Sequence, residues 1–596
     1  MANLVTPGYE RSALIGNILA PMEERTLEFK GLNRRPVVEE GEMSDMLNLT
    51  SDEYPVIRPR KPRGEYTLPE GVVLPLKIMA RYNKIALIAR DEEDHVNFYF
   101  DGDKIDQVTG LGDETEMVAI NTKICFFPQK TCVSVLHRRV SVEIVPDSYR
   151  SLEESVTVSN TTLTVSNEDA RIVLTGVKKF AYDDAINVTG VLAYTSGGES
   201  KTMQCVVSLA LEEVIKDEVN ETTTLVMPRE TFIELTGEGA TNITLTGVLS
   251  RTMPDLDYVI EWNNRLWGAS IADNTVYASK LGDPTNWQYF QTTSLDSYYA
   301  EQGTDGIWTG CAGYSNHIIF FKQNSMTRIY GSAPSNFQVA NAQCYGVEAG
   351  SSRSVVTIND RVFYKSVIGI MCYEGGTPYL VSEKFNTKFR NVVAATEGYK
   401  YYASIQDSKG GFPLLVLDID KAVWHKEDYS RFRDSCTIDN TIYYVHHSSE
   451  SLKCGTEVIT SQWLPCGQGA ADGGDVLIIN PTNATEQYTD YDWMAVFGPF
   501  DEFLEDRKIY SRLLLRIIRS NDSMVKVYIS INPDGQDTSL WRWELVQEFN
   551  PTKTGGDYIP IIPRRCDRYA VKIEGRGNCS IKSLTRKVRR GTGGRL

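Results

Sequence analysis

The stretch 261-EWNNRLWGASIADNTVYASKLGDPTNW-287 contains three tryptophans, a pair of adjacent asparagines and a Gly-Asp-Pro turn. Two short strand-like segments, 265–270 and 275–279, flank the polar break 272-ADN-274. A polar break between two such segments is typical of a β-hairpin. The stretch therefore predicts a hairpin rich in aromatic residues, followed by a stiff exit through 281-LGDP-284.

The same pattern recurs along the chain, because a turn-forming polar residue, often Asn, repeatedly precedes an alternating β-branched or aromatic strand. The seven positions that open these strands are Asn83, Asn121, Asn264, Asn316, Asp360, Gly398 and Asn440. Except for one long interval, they lie 38 to 52 residues apart. A period of roughly 40–50 residues made of short strands indicates propeller blades. The alternative is a run of meanders in a β-sandwich.

Two departures from this period predict further domains. The long interval between Asn121 and Asn264 contains Thr/Val/Ser-rich alternating segments, which favour a β-domain inserted at the surface. After residue 456 a Gly-rich segment, 467-GQGAADGGD-475, precedes strands that alternate basic and apolar residues. That alternation is typical of a two-sheet antiparallel sandwich.

The predicted fold class is therefore all-β, with a β-propeller interrupted by an inserted β-domain and followed by an antiparallel β-sandwich. The predicted parts are an N-terminal arm at 1–64, a discontinuous propeller at 65–140 and 247–455, an inserted β-domain at 141–246, and a C-terminal β-sandwich with a basic tail at 456–596.

Composition narrows the class of protein. A chain of 596 residues is too long for one compact core, and 41% hydrophobic residues suffice for several. No segment approaches the ~18 apolar residues of a membrane-spanning helix. The start of the chain lacks a basic region followed by a sustained apolar one, so we predict no signal peptide and synthesis in the cytoplasm.

The sequence predicts no metal site, cofactor or disulfide framework. Eleven cysteines are scattered without a C-x-x-C motif, and the closest pair, Cys125 and Cys132, has no histidine at ligand spacing. We expect reduced thiols that fill core gaps. His446 and His447 are adjacent and would point to opposite faces of a strand, which argues against joint metal binding.

No catalytic constellation is found, so we predict that the protein is not an enzyme. The nearest approach to a sialidase Asp box, 530-SINPDGQDTSLW-541, has one residue too many, and 101-DGDKID-106 lacks the ligand count of a calcium loop. The paired carboxylates Glu212/Glu213 and Asp183/Asp184 are adjacent and expected to point apart.

Charge is unevenly distributed. The net charge is −16, yet residues 564–596 contain eleven Lys/Arg against two acidic residues, and 58-RPRKPR-63 is a second basic cluster. Such blocks are either solvated faces or docking surfaces for an acidic neighbour or nucleic acid. We expect the basic end to contact another subunit or another protein rather than DNA. The residues proposed for this contact are Arg586, Lys587, Arg589 and Arg590.

Three segments carry a resemblance to a known family. They are 41-GEMSDMLNLTSDEYPVIRPRKPR-63, 258-YVIEWNNRLWGASIADNTVYASKLGDPTNW-287 and 559-IPIIPRRCDRYAVKIEGRGNCSIKSLTRKVRRG-591. Together they resemble the β-propeller tail proteins of tailed bacteriophages, known as nozzle, tail tubular or DNA-stabilization proteins. The middle segment carries the most specific motif.

The resemblance implies a structural virion protein of the phage tail. Such a protein would assemble in the host cytoplasm as a ring, with six copies around the DNA exit channel, and would retain and then pass genomic DNA without sequence recognition. The implied partners are further copies of the chain, the portal adaptor, other tail proteins and the host surface. Two alternatives stay open: a receptor- or glycan-binding propeller, which would expose Trp/Tyr platforms, and a propeller glycosidase, which would gather carboxylates in a central funnel.

The resemblance implies that the stretch 261–287 is a blade motif. Its tryptophans are expected to pack between blades, and a glycan-stacking platform is the alternative. The residues assigned to the propeller-packing motif are Trp262, Asn264, Arg265, Trp267, Asp283, Pro284 and Trp287.

Overall fold

The computed structural model describes residues 22–385, 387–447, 453–454, 457–458, 475–501, 508–549 and 558–590. They form a middle unit, Pro69–Val367 with Tyr373–Pro378, and a terminal unit made of the described residues of Met1–Leu68, Ile368–Cys372 and Tyr379–Leu596. Nearly all regular structure in these ranges is β-strand, as predicted, and their one α-helix is Arg229–Thr236. No helix in the described ranges is long and apolar enough to cross a membrane.

Four antiparallel meanders follow one another in the middle unit. Sheet 1 contains Val72–Arg81, Lys84–Asp91, Val96–Phe100 and Asp103–Lys104, and sheet 2 contains Glu116–Ile120, Lys123–Phe127, Thr131–His137, Val142–Ile144 and Arg150–Ser151. Sheet 3 contains Tyr258–Trp262, Arg265–Ser270, Thr275–Ala278 and Tyr298–Glu301, and sheet 4 contains Trp308–Tyr314, His317–Lys322, Ser325–Tyr330 and Gln338–Gln343. A further hairpin of this unit, called sheet 5, pairs Val356–Ile358 with Arg361–Ser366.

The seven sequence anchors all lie in turns between two neighbouring strands. At Tyr82-Asn83, Asn263-Asn264 and Asp439-Asn440 both turn residues have positive φ. This is the two-residue turn whose twist matches that of the flanking strands, and Asn adopts it at low cost. The repeated Asn in the sequence is therefore the chemistry of the repeated hairpin turn.

Successive sheets of the middle unit pack their apolar faces together. Phe98 of sheet 1 meets Phe126 of sheet 2 edge to face, with ring centroids 5.1 Å apart. Leu266 of sheet 3 shares a buried cluster with Phe127 of sheet 2. On the other side of sheet 3, Trp267 shares a cluster with sheet 4. Each sheet is thus buried by its neighbours in chain order.

Residues 154–251, which correspond to the predicted inserted β-domain and are called the inserted domain below, form a sheet and an apolar cluster of their own. The seven strands of the inserted domain, in chain order, are Glu154–Val165, Ala170–Thr175, Ala185–Ser196, Glu199–Ala210, Glu213–Asp217, Thr222–Met227 and Thr241–Arg251. They enclose one apolar cluster, into which Phe232 of the α-helix packs. The predicted start at residue 141 is too early, because Val142–Ile144 and Arg150–Ser151 pair with sheet 2. The predicted end at 246 falls within the last strand.

The terminal unit contains two further meanders of the same kind. Sheet 6 contains Arg390–Thr396, Lys400–Gln406, Leu414–Asp418 and Val423–Lys426, and sheet 7 contains Phe432–Ile438, Thr441–His446, Val476–Ile479 and the early strand Gly64–Glu65. They share one buried cluster that includes Tyr402 and Tyr444. Short strands at Gly369–Tyr373 and Tyr379–Leu380 pair through Met371 and Leu380, and Lys453–Cys454 pairs with Glu457–Val458. The Gly-rich linker predicted at 467–475 lies, up to residue 474, outside the described residues.

The last part of the chain forms two sheets that also take in early strands, and their pairings are antiparallel except for the parallel pair Gly31–Leu32 and Glu42–Leu47. Terminal sheet A contains Met22–Thr26, Cys579–Arg590, Lys508–Arg519 and Tyr558–Cys566. Terminal sheet B contains Gly31–Leu32, Glu42–Leu47, Asp492–Phe500, Tyr569–Arg576, Met524–Ile531 and Glu544–Phe549. Leu49–Thr50 pairs with Arg58–Pro59. The described part of the predicted N-terminal arm is therefore not separate, because its backbone groups are satisfied by pairing with these sheets.

The ends of the inserted domain are adjacent, since Glu154 and Arg251 are directly paired in the antiparallel ladder. Partners in such a ladder have Cα atoms about 5 Å apart. We expect a variant with residues 154–251 replaced by a short Gly-Ser linker to fold, with strand-type circular dichroism and a cooperative thermal transition. A deletion of residues 258–301, which removes sheet 3, is the control and should abolish both. Aggregation of the first variant to the same extent as the second would contradict an independently folded insertion.

Candidate functional site

The predicted packing motif lies in sheet 3 and the loop that follows its third strand. Trp267 and Trp287 are buried, and half-buried Trp262 lies with its ring centroid 6.2 Å from that of Trp267. The Trp262 Nε1 donates to the Tyr314 carbonyl at 3.2 Å. Asn264 is exposed in the hairpin turn. The tryptophans of this motif are thus used in packing.

Arg265 ties the exit loop to the strand. Its buried guanidinium donates to the carbonyl oxygens of Ser279 at 2.8 Å, Ser294 at 2.8 Å and Asp296 at 2.6 Å. All three acceptors are backbone carbonyl oxygens, so Arg265 holds the loop of residues 279–296 against the strand. This role could not be read from the sequence, in which Arg265 is one position of an alternating strand.

The Gly-Asp-Pro exit is a folded turn rather than a plain spacer. Asp283 accepts from the Thr285 backbone N–H at 2.9 Å, from the Thr285 hydroxyl at 2.7 Å and from Asn286 Nδ2 at 2.6 Å. Burial alone would raise the pKa of Asp283, but these hydrogen bonds outweigh it and lower the pKa. Trp287 Nε1 donates to the Pro284 carbonyl at 2.8 Å, which closes the turn.

The inserted domain docks on this exit loop. The backbone N–H of Ala185 donates to Asn286 Oδ1 at 2.8 Å. Lys280 Nζ pairs with Asp183 at 2.5 Å and lies 3.8 Å from the centroid of the Tyr289 ring. The Tyr289 hydroxyl donates to Asp183 at 2.9 Å. The exit loop therefore forms the joint between sheet 3 and the inserted domain.

The adjacent carboxylates Asp183 and Asp184 serve this joint with different partners. Asp184 is buried and ion-paired with Arg251 at the end of the inserted domain, and Asn286 Nδ2 donates to it at 3.2 Å. The two carboxylates are thus engaged by different basic groups, Lys280 and Arg251. Sequence reasoning missed the joint because its partners lie about a hundred positions apart in the chain.

Two of the four basic residues in 58-RPRKPR-63, Arg60 and Arg63, are internal to the terminal unit, whereas Lys61 is exposed. Arg60 and Arg63 are 0% and 2% exposed. Arg60 pairs with Glu486 at 2.8 Å and with Asp428 at 3.4 Å, and Arg63 pairs with Glu427 at 2.6 Å and with Asp428 at 3.0 Å. This corrects the expectation that the cluster docks on an acidic neighbour, because the acidic groups that neutralise Arg60 and Arg63 belong to the same chain.

Further charged groups surround these ion pairs. Lys400, which is buried, pairs with Asp52 and lies 3.5 Å from Glu397. His425 Nε2 lies 3.3 Å from Glu427. The Arg60 guanidinium also lies over the Tyr491 ring, 4.1 Å from its centroid. We call the Arg60, Arg63, Glu427, Asp428 and Glu486 set the buried ion cluster.

Neighbouring basic groups lower the pKa of one carboxylate in this cluster, Asp428, and of one beside it, Asp52. Burial alone would raise the pKa of Asp428, but Arg63 and Arg60 outweigh it and lower the pKa to about 2. Burial acts in the same sense on Asp52, and Lys400 overcomes it, again lowering the pKa to about 2. Carboxylates with depressed pKa values contribute stability that is present above their unfolded pKa and lost as the pH falls through the folded value.

This arrangement predicts a pH-dependent mutational penalty. At pH 7, Arg63→Leu should lower the free energy of unfolding by about 3–5 kcal/mol, because it removes the nearer cation from buried Glu427 and Asp428 and leaves them only their longer contacts with His425 and Arg60. The penalty should shrink as the pH falls from about 4 to about 2, where the carboxylates protonate. Urea titrations of both proteins at a series of pH values measure it. A penalty that is equal at pH 7 and pH 3 would contradict the role of these ion pairs.

The basic end of the chain is also satisfied internally. Arg586 is 0% exposed in the strand Cys579–Arg590. It pairs with Glu40 at 2.7 Å, donates to Thr26 at 3.0 Å and lies 3.6 Å from the centroid of the Phe500 ring. This corrects the prediction that Arg586 belongs to a basic tail, because it lies in a paired strand of terminal sheet A. The strand Cys579–Arg590 pairs with the strand Met22–Thr26, which contains Glu23 and Glu24.

The other predicted contact residues differ from Arg586 in exposure. Lys587 is half-buried and lies 3.3 Å from Glu23, whereas Arg589 is exposed. Arg590 ends the strand, and the segment after it lies outside the described residues. Among the four, the structure brings Arg586 and Lys587 against acidic groups of the same chain and leaves Arg589 as an exposed charge.

Replacement of Arg586 and of Arg589 should therefore have opposite outcomes. Arg586→Ser should lower the free energy of unfolding by about 1–3 kcal/mol, because it removes a buried side chain that lies on the Phe500 ring and donates to buried Thr26. Arg589→Ser, the matched control on the same strand, should leave the thermal midpoint nearly unchanged. Differential scanning calorimetry of both variants checks this. Equal midpoints for the two would contradict a structural role for Arg586.

The segments considered for catalysis or metal binding have ordinary structural roles. In 530-SINPDGQDTSLW-541, Asp537 accepts from the Ser539 N–H at 3.2 Å and begins a short 3-10 helix. In 101-DGDKID-106, Asp101 pairs with Lys84 at 2.6 Å. Within the described ranges no three His, Cys, Asp or Glu side chains are grouped as metal ligands. Cys125 and Cys132 are buried cross-strand neighbours with free thiols.

Comparisons with known proteins give no family assignment. No protein-family model and no curated protein matches the chain. Among solved structures, Hsv2 of Kluyveromyces lactis is similar at 13% identity, covering 52% of this chain and 90% of that one, with a TM-score of 0.24. PorZ, a surface component of the type-IX secretion system of Porphyromonas gingivalis, is 11% identical over 88% of this chain and 78% of its own, with a TM-score of 0.25.

AztD of Citrobacter koseri is similar at 10% identity, covering 63% of this chain and 88% of that one, with a TM-score of 0.25. Similarities this low carry no argument about fold or function. The architecture therefore rests on the strand pairing itself, and the function on the residues of the chain.

Proposed function

We propose that the protein is a structural component of a bacteriophage tail, in which several copies form a ring around the DNA exit channel. The observation that carries the proposal is the joint at residues 280–289. The segment most similar to the blade motif of phage nozzle proteins, 258–287, is the segment whose Lys280 and Asn286 bind the inserted domain. A segment whose side chains join two parts of the chain, rather than bind a small ligand, is what we expect of a structural protein.

The proposed architecture is a β-propeller interrupted by the inserted domain and followed by a β-sandwich. Support comes from the meanders with Asn-anchored turns and from their packing in chain order within each unit. Sheet 7 takes its outermost strand, Gly64–Glu65, from the start of the chain. A closing strand from the opposite end of the sequence is a means by which a propeller can protect its last edge.

Charge supports a passage for DNA. The chain carries a net charge of −16, and the basic groups Arg60, Arg63 and Arg586 are neutralised internally. The acidic excess consequently remains for the surface. A channel with excess carboxylate repels phosphate, so duplex DNA passes without adhering. The proposed partners are other copies of the chain, the portal adaptor, further tail proteins and, at infection, the host surface.

Assembly tests the proposal. We expect the purified chain, alone or with a tail protein of the same phage, to form a ring, seen as a concentration-dependent mass of several chains in analytical ultracentrifugation. Electron-microscopic class averages should show a ring with a central hole of about the width of duplex DNA. The expected symmetry of the ring is six-fold, with six copies of the chain. A chain that remains monomeric under all these conditions, or that binds and cleaves cell-wall polysaccharide, would contradict the proposal.

A further inference from the structure

Three hairpin tips converge at one exposed place in the middle unit. The turn of sheet 1 at Tyr82 meets the first turn of sheet 2, because the Tyr82 hydroxyl donates to the Asn121 carbonyl at 3.0 Å. It also meets the turn that follows the strand Thr131–His137 of sheet 2, because the rings of Tyr82 and His137 are stacked 4.4 Å apart with an angle of 4° between them. The tips of two successive sheets thus form one surface.

A cation completes this stack. The Arg81 guanidinium carbon lies 4.2 Å from the centroid of the Tyr82 ring, and its Nη2 donates to the Tyr82 hydroxyl at 3.0 Å. Arg81 and Tyr82 are half-buried and His137 is exposed. Arginine, tyrosine and imidazole planes are therefore fixed together in a part of the chain that is open to solvent.

Two further arginines stand beside the stack without an ionic partner. Arg138 and Arg139 follow His137 directly and are both exposed, in a turn closed by the Arg138 N–H and the Ser141 carbonyl at 2.8 Å. In the described part of the chain neither they nor Arg81 makes an ion pair. Arg60 and Arg63, by contrast, are neutralised by carboxylates of the same chain. Internal neutralisation therefore does not explain why three guanidinium groups without an ion pair lie at one place.

We propose that Arg81, Tyr82, His137, Arg138 and Arg139 form a binding site for nucleic acid, with unpaired bases as its preferred ligand. Aromatic or imidazole planes on which a base stacks, combined with guanidinium groups that neutralise phosphates, are what single-stranded nucleic acid requires of a protein surface. The exposed His137 ring offers the stacking face, and Arg138 and Arg139 bind the adjacent phosphates. Two hairpin turns hold the planes in place before binding.

Other polyanions fit these groups less well. An anionic polysaccharide or an acidic protein would use the arginines but gain little from the flat stack. A neutral glycan would use the stack but not three cations. Only a ligand with both flat rings and regularly spaced phosphates engages every group of the site.

The proposal goes beyond the ring, because the site lies within one chain and requires no second copy. Fluorescence anisotropy of a labelled 20-nucleotide single strand, titrated with the full-length protein at several salt concentrations, tests it. We expect Arg138→Ser/Arg139→Ser to weaken binding about tenfold at low salt and to reduce the slope of log affinity against log salt by about 1.4, as expected for two lost phosphate contacts. His137→Ala should weaken binding about tenfold with the slope unchanged, because it removes stacking and not charge.

The matched control is Lys178→Ser/Lys179→Ser, which removes the same two charges from a loop of the inserted domain. It should leave both affinity and slope unaltered. If the control weakens binding as much as the arginine variant, or if dextran sulfate competes as well as an unlabelled strand, the surface is a general anion attractor and the proposal is overturned. Loss of ring assembly in any of these variants would bear on the proposed function alone, because affinity is measured for the chain in whatever state it adopts.

Discussion

Burial of the Arg60 and Arg63 guanidinium groups requires partners for their charge, and this constraint sets the arrangement of the terminal unit. Arg60 and Arg63 come from the start of the chain, whereas Asp428 precedes sheet 7 and Glu486 follows it. Leaving either arginine unpaired would cost several kcal/mol. The early segment is therefore fixed beside sheets 6 and 7, which places Gly64–Glu65 where it pairs with Val476–Ile479.

The hairpins could be predicted from the sequence because their determinants are local. A two-residue turn with positive φ favours Asn, and the strands that it joins alternate on either side. Asn83, Asn264 and Asn440 thus indicated the turns correctly. The start of the inserted domain was placed too early for a related reason, since Val142–Ile144 alternates like any strand and only its pairing with Thr131–His137 assigns it to sheet 2.

The charged residues could not be assigned to partners from the sequence, because their partners are distant. Arg63 and Asp428 are 365 positions apart, and Arg586 and Glu40 are 546 positions apart. A basic block such as 58-RPRKPR-63 reads the same whether it is solvated, docks on another protein or is buried. The physical difference lies in desolvation, which depends on which acidic segment the fold brings within about 4 Å.

The same reasoning separates structural from functional arginines. Arg265 and Arg586 are buried and fully engaged, so their charge is used within the chain and is not available to a partner. Arg138 and Arg139 lie in the open and make no ion pair with any residue that the structure describes, although acidic residues outnumber basic ones in this protein. In an acidic chain, an uncompensated basic site raises the local potential against the net field. A phosphate approaching the surface would therefore be repelled over most of it and attracted at this site.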